Sequence, residues 1–92
     1  MEKIIDGKRY STNTAKFVGS FYQQGLFFGK YVEELYKTKH GNFFIHIYNT
    51  TLYPGTINEN IEVLSTIAAK NWITTYMEEK VYVEHFGEIC EG

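Results

Sequence analysis

The sequence predicts an α+β fold: a small antiparallel sheet of about five strands built from two hairpins, with two helices packed on one face. Three observations carry this. Asp6-Gly7 separates two short strand-like runs at residues 3–5 and 8–10, and Asp-Gly readily supplies the two positive φ angles of a type I′ turn. Phe43-Phe44-Ile45-His46-Ile47-Tyr48 follows the turn-forming Lys39-His40-Gly41-Asn42 and is the strongest strand signal in the chain. Ser65 offers a hydroxyl to cap a helix running to about Glu79.

After the first hairpin, Ser11 or Thr12 can cap a helix to about Gln24, with Ala15, Val18, Phe21 and Tyr22 spaced along one face and Gly25 as its stop. Residues 30–38 return to β-branched and aromatic types, pairing with residues 43–48 as a second hairpin. In the second of these strands Phe43, Ile45 and Ile47 share one face while Phe44, His46 and Tyr48 share the other, so both sides are apolar or aromatic. One side meets the helices; what the other side meets does not follow from the pattern. Residues 49–60, with Pro54-Gly55, read as a long polar loop, and residues 61–64 as a short strand. In the helix after Ser65, the residues Ile67, Ala68, Asn71, Trp72, Thr75 and Tyr76 form one face, anchored by Trp72. Residues 81–86 alternate like a strand over a length that a helical turn would also fill, and Gly87 ends them.

Ninety-two residues suit a single domain spanning 1–92. The 43% apolar content, with eight tyrosines, seven phenylalanines and one tryptophan, is enough to build a core. Cys90 is the only cysteine, so no disulfide forms within the chain. No apolar run reaches membrane-spanning length and the first residues lack the apolar stretch of a signal peptide, so the expected location is cytoplasmic and no membrane partner is expected. The formal charge of −2 conceals an asymmetry: residues 1–40 carry seven Lys/Arg against four acids, and residues 41–92 carry two against seven. Neither bulk phosphate attraction nor bulk mimicry of DNA fits that balance.

Reactive groups do not assemble in the sequence. His40 falls in a turn, His46 in a strand where one satisfied ring nitrogen is the ordinary outcome, and His85 stands near Cys90 at the end of the chain. One cysteine and no close histidine pair do not make a zinc site, and Gly25 and Gly29 around Leu26-Phe27-Phe28 lack the lysine and context of a phosphate loop. Glu33-Glu34 on a strand would point to opposite faces, and both they and Glu78-Glu79 read as solvated charge. The expectation is a binding protein with no catalytic residues, metal or cofactor. Its partner-binding candidates are Phe44, His46, Tyr48 and Tyr53 of the second hairpin and loop, with the acids Glu78, Glu79 and Glu84. The alternative is a small nucleic-acid-binding module using Lys8, Arg9, Lys37 and Lys39 with the hairpin aromatics.

The stretch Lys3-Ile4-Ile5-Asp6-Gly7-Lys8-Arg9-Tyr10-Ser11-Thr12-Asn13-Thr14-Ala15 resembles the opening of a family of small proteins carried by phages and mobile elements of Firmicutes. Glu33-Glu34-Leu35-Tyr36-Lys37-Thr38-Lys39-His40-Gly41-Asn42-Phe43-Phe44 is similar to that family's central hairpin. Ala69-Lys70-Asn71-Trp72 and Phe86-Gly87 resemble its helix and its close. Ser11 stands where the family usually has Asp, and residues 44–55 depart from its Gly-rich continuation. The resemblance, which extends to anti-CRISPR proteins, implies an inhibitor of a Cas9-type effector or its guide complex, acting in the host bacterial cytoplasm; a homodimer is compatible with it.

Overall fold

The computed structural model describes residues 1–25, 29–50 and 57–92. The described residues form β1 (Glu2–Ile5), β2 (Lys8–Ser11), β3 (Lys16–Gly25), β4 (Gly29–Lys37), β5 (Phe43–Thr50), β6 (Ile57–Leu64), α1 (Thr66–Tyr76) and α2 (Glu79–Phe86). Strands β3-β4-β5-β6 make an antiparallel four-stranded sheet in that order, and β1-β2 stand apart as a two-stranded hairpin. The α+β class and both expected hairpins are present. Asp6 and Gly7 take φ of 52° and 74°, as the type I′ turn requires.

The largest departure is β3. Ser11 does start a helical turn, since its carbonyl accepts from Ala15 N at 3.1 Å and its side chain from Asn13 N at 3.2 Å. The chain then leaves into a strand instead of propagating a helix. The register against β4 slips between Phe17 and Gly19, so Val18 is an extra residue in a bulge. The slip puts Val18 and Phe21, three apart, against the same core, which imitates helical spacing in a strand.

Two other boundaries move. Strand β6 begins at Ile57, four residues before the expected strand, so much of the expected loop is ladder; Tyr53, Pro54 and Gly55 lie outside the described residues. Residues 81–86 belong to helix α2, which supplies the second helix in place of the one expected before Gly25.

Strand β5 is buried on both sides, and two layers cover it. On one face Leu35, Phe43 and Ile45 pack with Ala69, Trp72 and Ile73 of α1, flanked by Met77, Val81, Tyr82 and Phe86. Helix α1 is capped by Ser65, whose Oγ accepts from Ala68 N at 3.1 Å. Its buried face is Ala69, Trp72 and Ile73, rotated from the expected one, and Ile67 is 73% exposed. The 69, 72, 73, 76 spacing is the stripe that the sheet selects. On the opposite face Tyr10 of β2 meets Phe44 edge-on at 5.6 Å, Phe44 stacks on Tyr36 at 5.3 Å, and Ile61 completes the cluster. The hairpin is tied to the β6 edge by Lys3 Nζ donating to Asn60 Oδ1 at 2.8 Å.

Gly29 opens β4 with φ of 80°, and a Cβ there would run into the backbone carbonyl of Thr50. At Gly7, φ is also positive but the surrounding space is open. Gly7→Ala should therefore cost only the left-handed backbone preference, about 1–2 kcal/mol. Gly29→Ala adds a steric clash with the Thr50 backbone and should cost about 2–4 kcal/mol in urea unfolding. Equal losses in the two variants would contradict this packing.

Candidate functional site

Two carboxylates that neighbour each other in sequence serve opposite faces of the sheet. Glu33 points to the helix side, where Trp72 Nε1 donates to its Oε1 at 2.8 Å and Tyr31 Oη donates to its Oε2 at 2.7 Å. Glu34 points the other way and faces His46 Nδ1 at 3.0 Å, while His46 Nε2 faces Glu59 Oε2 at 2.9 Å. The expected division of the pair is present; the expectation that both are solvated charge is not. Each is half-buried with partners, because each lies in an inner strand flanked by donors that pairing brings alongside.

The Glu34-His46-Glu59 row crosses three strands, with Glu34 opposite His46 and Glu59 opposite Tyr48, next along β6 from Ile61. Satisfying both ring nitrogens takes two N–H donors when both carboxylates are ionised, or a neutral ring and one carboxylic acid proton. His46 therefore has two satisfied nitrogens rather than the single one expected. Tyr48 lies against its ring at a centroid distance of 5.2 Å. Burial and then the nearby Glu34 raise the Tyr48 phenol above its ordinary value, so it remains a neutral donor and acceptor. Beyond Val32, Tyr22 on β3 is 53% exposed and its hydroxyl donates to Gln24 Oε1 at 3.0 Å. Among the described residues, the half of this face away from the hairpin thus displays Tyr22, Tyr48, His46, Glu34 and Glu59.

No family model, curated protein or solved structure matches the chain at significance.

The other expected residues scatter. Phe44 is 0% exposed between Tyr10 and Tyr36, so it serves the core and cannot anchor a partner; a strand apolar on both sides turned out to be covered on both. Tyr53 lies outside the described residues. Glu78 and Glu79 lie at the start of α2, beside a hollow of about 410 Å³ between the helices that Ile73, Met77, Tyr82 and Ile89 also line. Glu78 pairs with Lys80 at 3.4 Å and Glu84 with Lys16 at 3.2 Å, all exposed. Lys37 lies over the Phe43 ring at 5.4 Å on the helix side, while Lys8, Arg9 and Lys39 line hollows at the hairpin end. His85 packs edge-on to Phe43 at 6.2 Å, and burial, helped by Lys37, lowers its pKa, which favours the neutral ring. Glu34, Glu59 and Tyr22 are the contributors that sequence reasoning missed. Only cross-strand register, which a single sequence does not print, places them beside His46 and Tyr48.

Replacing His46 by Ala leaves Glu34 and Glu59 facing each other and should cost about 1–2 kcal/mol, limited by the half-exposure of Glu59, with Glu59→Gln milder in the same urea assay. On the helix side, burial and then the hydrogen bond to Glu33 push the Tyr31 phenol up to about 12 from 10. A raised folded-state pKa means the stability is whole below pH 10 and is lost as pH rises towards 12. Tyr31→Phe should flatten that alkaline decline and remove a tyrosine ionisation step near pH 12 seen at 295 nm; an unchanged titration would contradict the Tyr31-Glu33 contact.

Proposed function

We propose that this chain acts by binding a protein partner through the sheet face bearing Tyr22, Tyr48, His46, Glu34 and Glu59. The observation that carries the reading is the composition of that face and the pair of carboxylates held by His46. Tyrosines give large contact area at low entropic cost, and the carboxylates are already oriented by His46, so little order is lost when a basic partner docks. Two accepting carboxylates beside tyrosine hydroxyls complement arginine side chains, which present several donors in a fixed fork.

The resemblance of the two hairpins to small phage and mobile-element proteins gives the partner its class. The proposed target is a Cas9-type effector or its guide complex in the host bacterial cytoplasm, and the proposed effect is inhibition. Such an effector reads a short DNA motif with arginines, and a carboxylate-bearing face can occupy that kind of surface.

The test is co-elution of the purified chain with a guide-loaded effector and inhibition of DNA cleavage. Tyr48→Ala and Glu59→Lys should each raise the inhibitory concentration at least about tenfold, equivalent to about 1.4 kcal/mol. Lys80→Ala, on α2 and so on the opposite face of the sheet, should leave it unchanged. Absence of both co-elution and inhibition sinks the target class, and inhibition untouched by the face variants sinks the face.

A further inference from the structure

The end of the molecule where the hairpin meets the β4-β5 turn carries a different chemistry. Lys8 and Arg9 form one wall of a hollow of about 620 Å³ with the buried Tyr10 at its base, and Thr38, His40 and Asn42 form the other. A second hollow of about 210 Å³, lined by Arg9, Ser11, Thr14, Thr38, Lys39 and His40, shares Arg9, Thr38 and His40 with the first. The two hollows adjoin at these shared residues, between the hairpin and the turn, and together make one cleft. The turn side is held from within: Thr38 N donates to Asn42 O at 2.7 Å, Gly41 N to Thr38 O at 2.9 Å, and Asn42 N to Thr38 Oγ1 at 3.0 Å.

Three basic side chains and an imidazole thus line a cleft whose lining includes no carboxylate, in a chain whose net charge is negative. Among the described residues the ion pair recorded for Lys8, Arg9 and Lys39 is Arg9 Nε with Glu2 at 3.8 Å, between exposed side chains. Gathering like charges raises the energy of the fold, and that one exposed pair offsets little of it. The aromatic at its floor, Tyr10, is 4% exposed, so the cleft offers charge and hydroxyls rather than a stacking surface.

We propose that this cleft binds the phosphodiester backbone of a single-stranded nucleic acid, independently of base sequence. Two overlapping hollows fit a chain better than one anion: Lys8 and Arg9 meet neighbouring phosphates from the hairpin wall, and Lys39 meets a third from the turn, beside His40. Thr38 and Asn42 add polar contacts between them. With the aromatic floor buried, affinity comes from the backbone, and discrimination between bases is weak. The cleft is separate from the tyrosine-bearing face, so the two proposals stand or fall apart.

Fluorescence anisotropy with labelled dT and rU oligonucleotides of about 12 residues tests this, that length exceeding the few nucleotides a cleft of this size spans. Binding should weaken linearly in log salt, with a slope of about −0.7 for each phosphate contacted and therefore near −2 for three cations. Lys8→Gln, Arg9→Gln and Lys39→Gln should each lower the slope magnitude by about 0.7, and the triple variant should lose at least about tenfold in affinity at low salt. Lys80→Gln should change neither. Circular dichroism checks that the exposed substitutions preserve the fold, and the slope of the unaltered protein is informative without them. No binding at low salt overturns the proposal, as does a slope unmoved by the triple substitution. Displacement by an acidic peptide at the same charge concentration as efficiently as by oligonucleotide also overturns it, assigning the cleft to a protein partner.

Discussion

A strand with bulky apolar side chains on both faces needs a cover on each side, and β5 sets that demand. Phe43 and Ile45 face one way and Phe44 the other, all nearly or fully buried. Each buried side chain of this size is worth about 1.5–3 kcal/mol only if water is excluded from both sides of the sheet. Helices α1 and α2 close one side. The β1-β2 hairpin closes part of the other, its Tyr10 ring meeting Phe44. The three-layer arrangement is thus the answer to one strand's composition.

That cover is incomplete on the hairpin side, and the incompleteness creates the candidate surface. The hairpin strands are four residues each, against eight to ten in the sheet strands. They reach the Tyr36-Phe44-Val63 row and Ile61, while beyond them the side chains change from apolar to polar: Glu34 and His46, then Tyr48 and Glu59. The Glu34-His46-Glu59 row supplies side-chain bonding across three strands at the point where hydrophobic cover ends. Alternation along β5 therefore encodes both the buried end and the displayed end of one face.

The legible parts of the fold were those fixed by local chemistry. Asp6-Gly7 specifies its turn by backbone preference, and Ser65 its helix by a hydroxyl within reach of Ala68 N. Strand β3 was illegible because a single bulge at Val18 breaks the two-residue alternation by which a strand is recognised. Next to the bulge, Gly19 lies against Met77, close enough that a Cβ would collide with the sulfur. Phe44 and the acids near His46 were misjudged or missed for one reason. Their neighbours come from other strands, and a register is a relation between segments rather than a property of one.

The same consideration explains how a chain of mixed charge acquires two surfaces of opposite character. Lys8 and Arg9 are about thirty residues from Lys39 and His40, and no local pattern joins them. They meet because Tyr10 must lie on Phe44, and the turn before Phe43 lies at the end of the sheet that the hairpin covers. Burial of one aromatic pair therefore fixes the spacing of four basic groups. Glu34 and Glu59 are held at the uncovered part of the same face by His46, beyond the reach of the hairpin. With a screening length of about 8 Å in physiological salt, charges gathered at separate ends of a sheet act largely as separate fields. The net charge of −2 averages over both and describes neither.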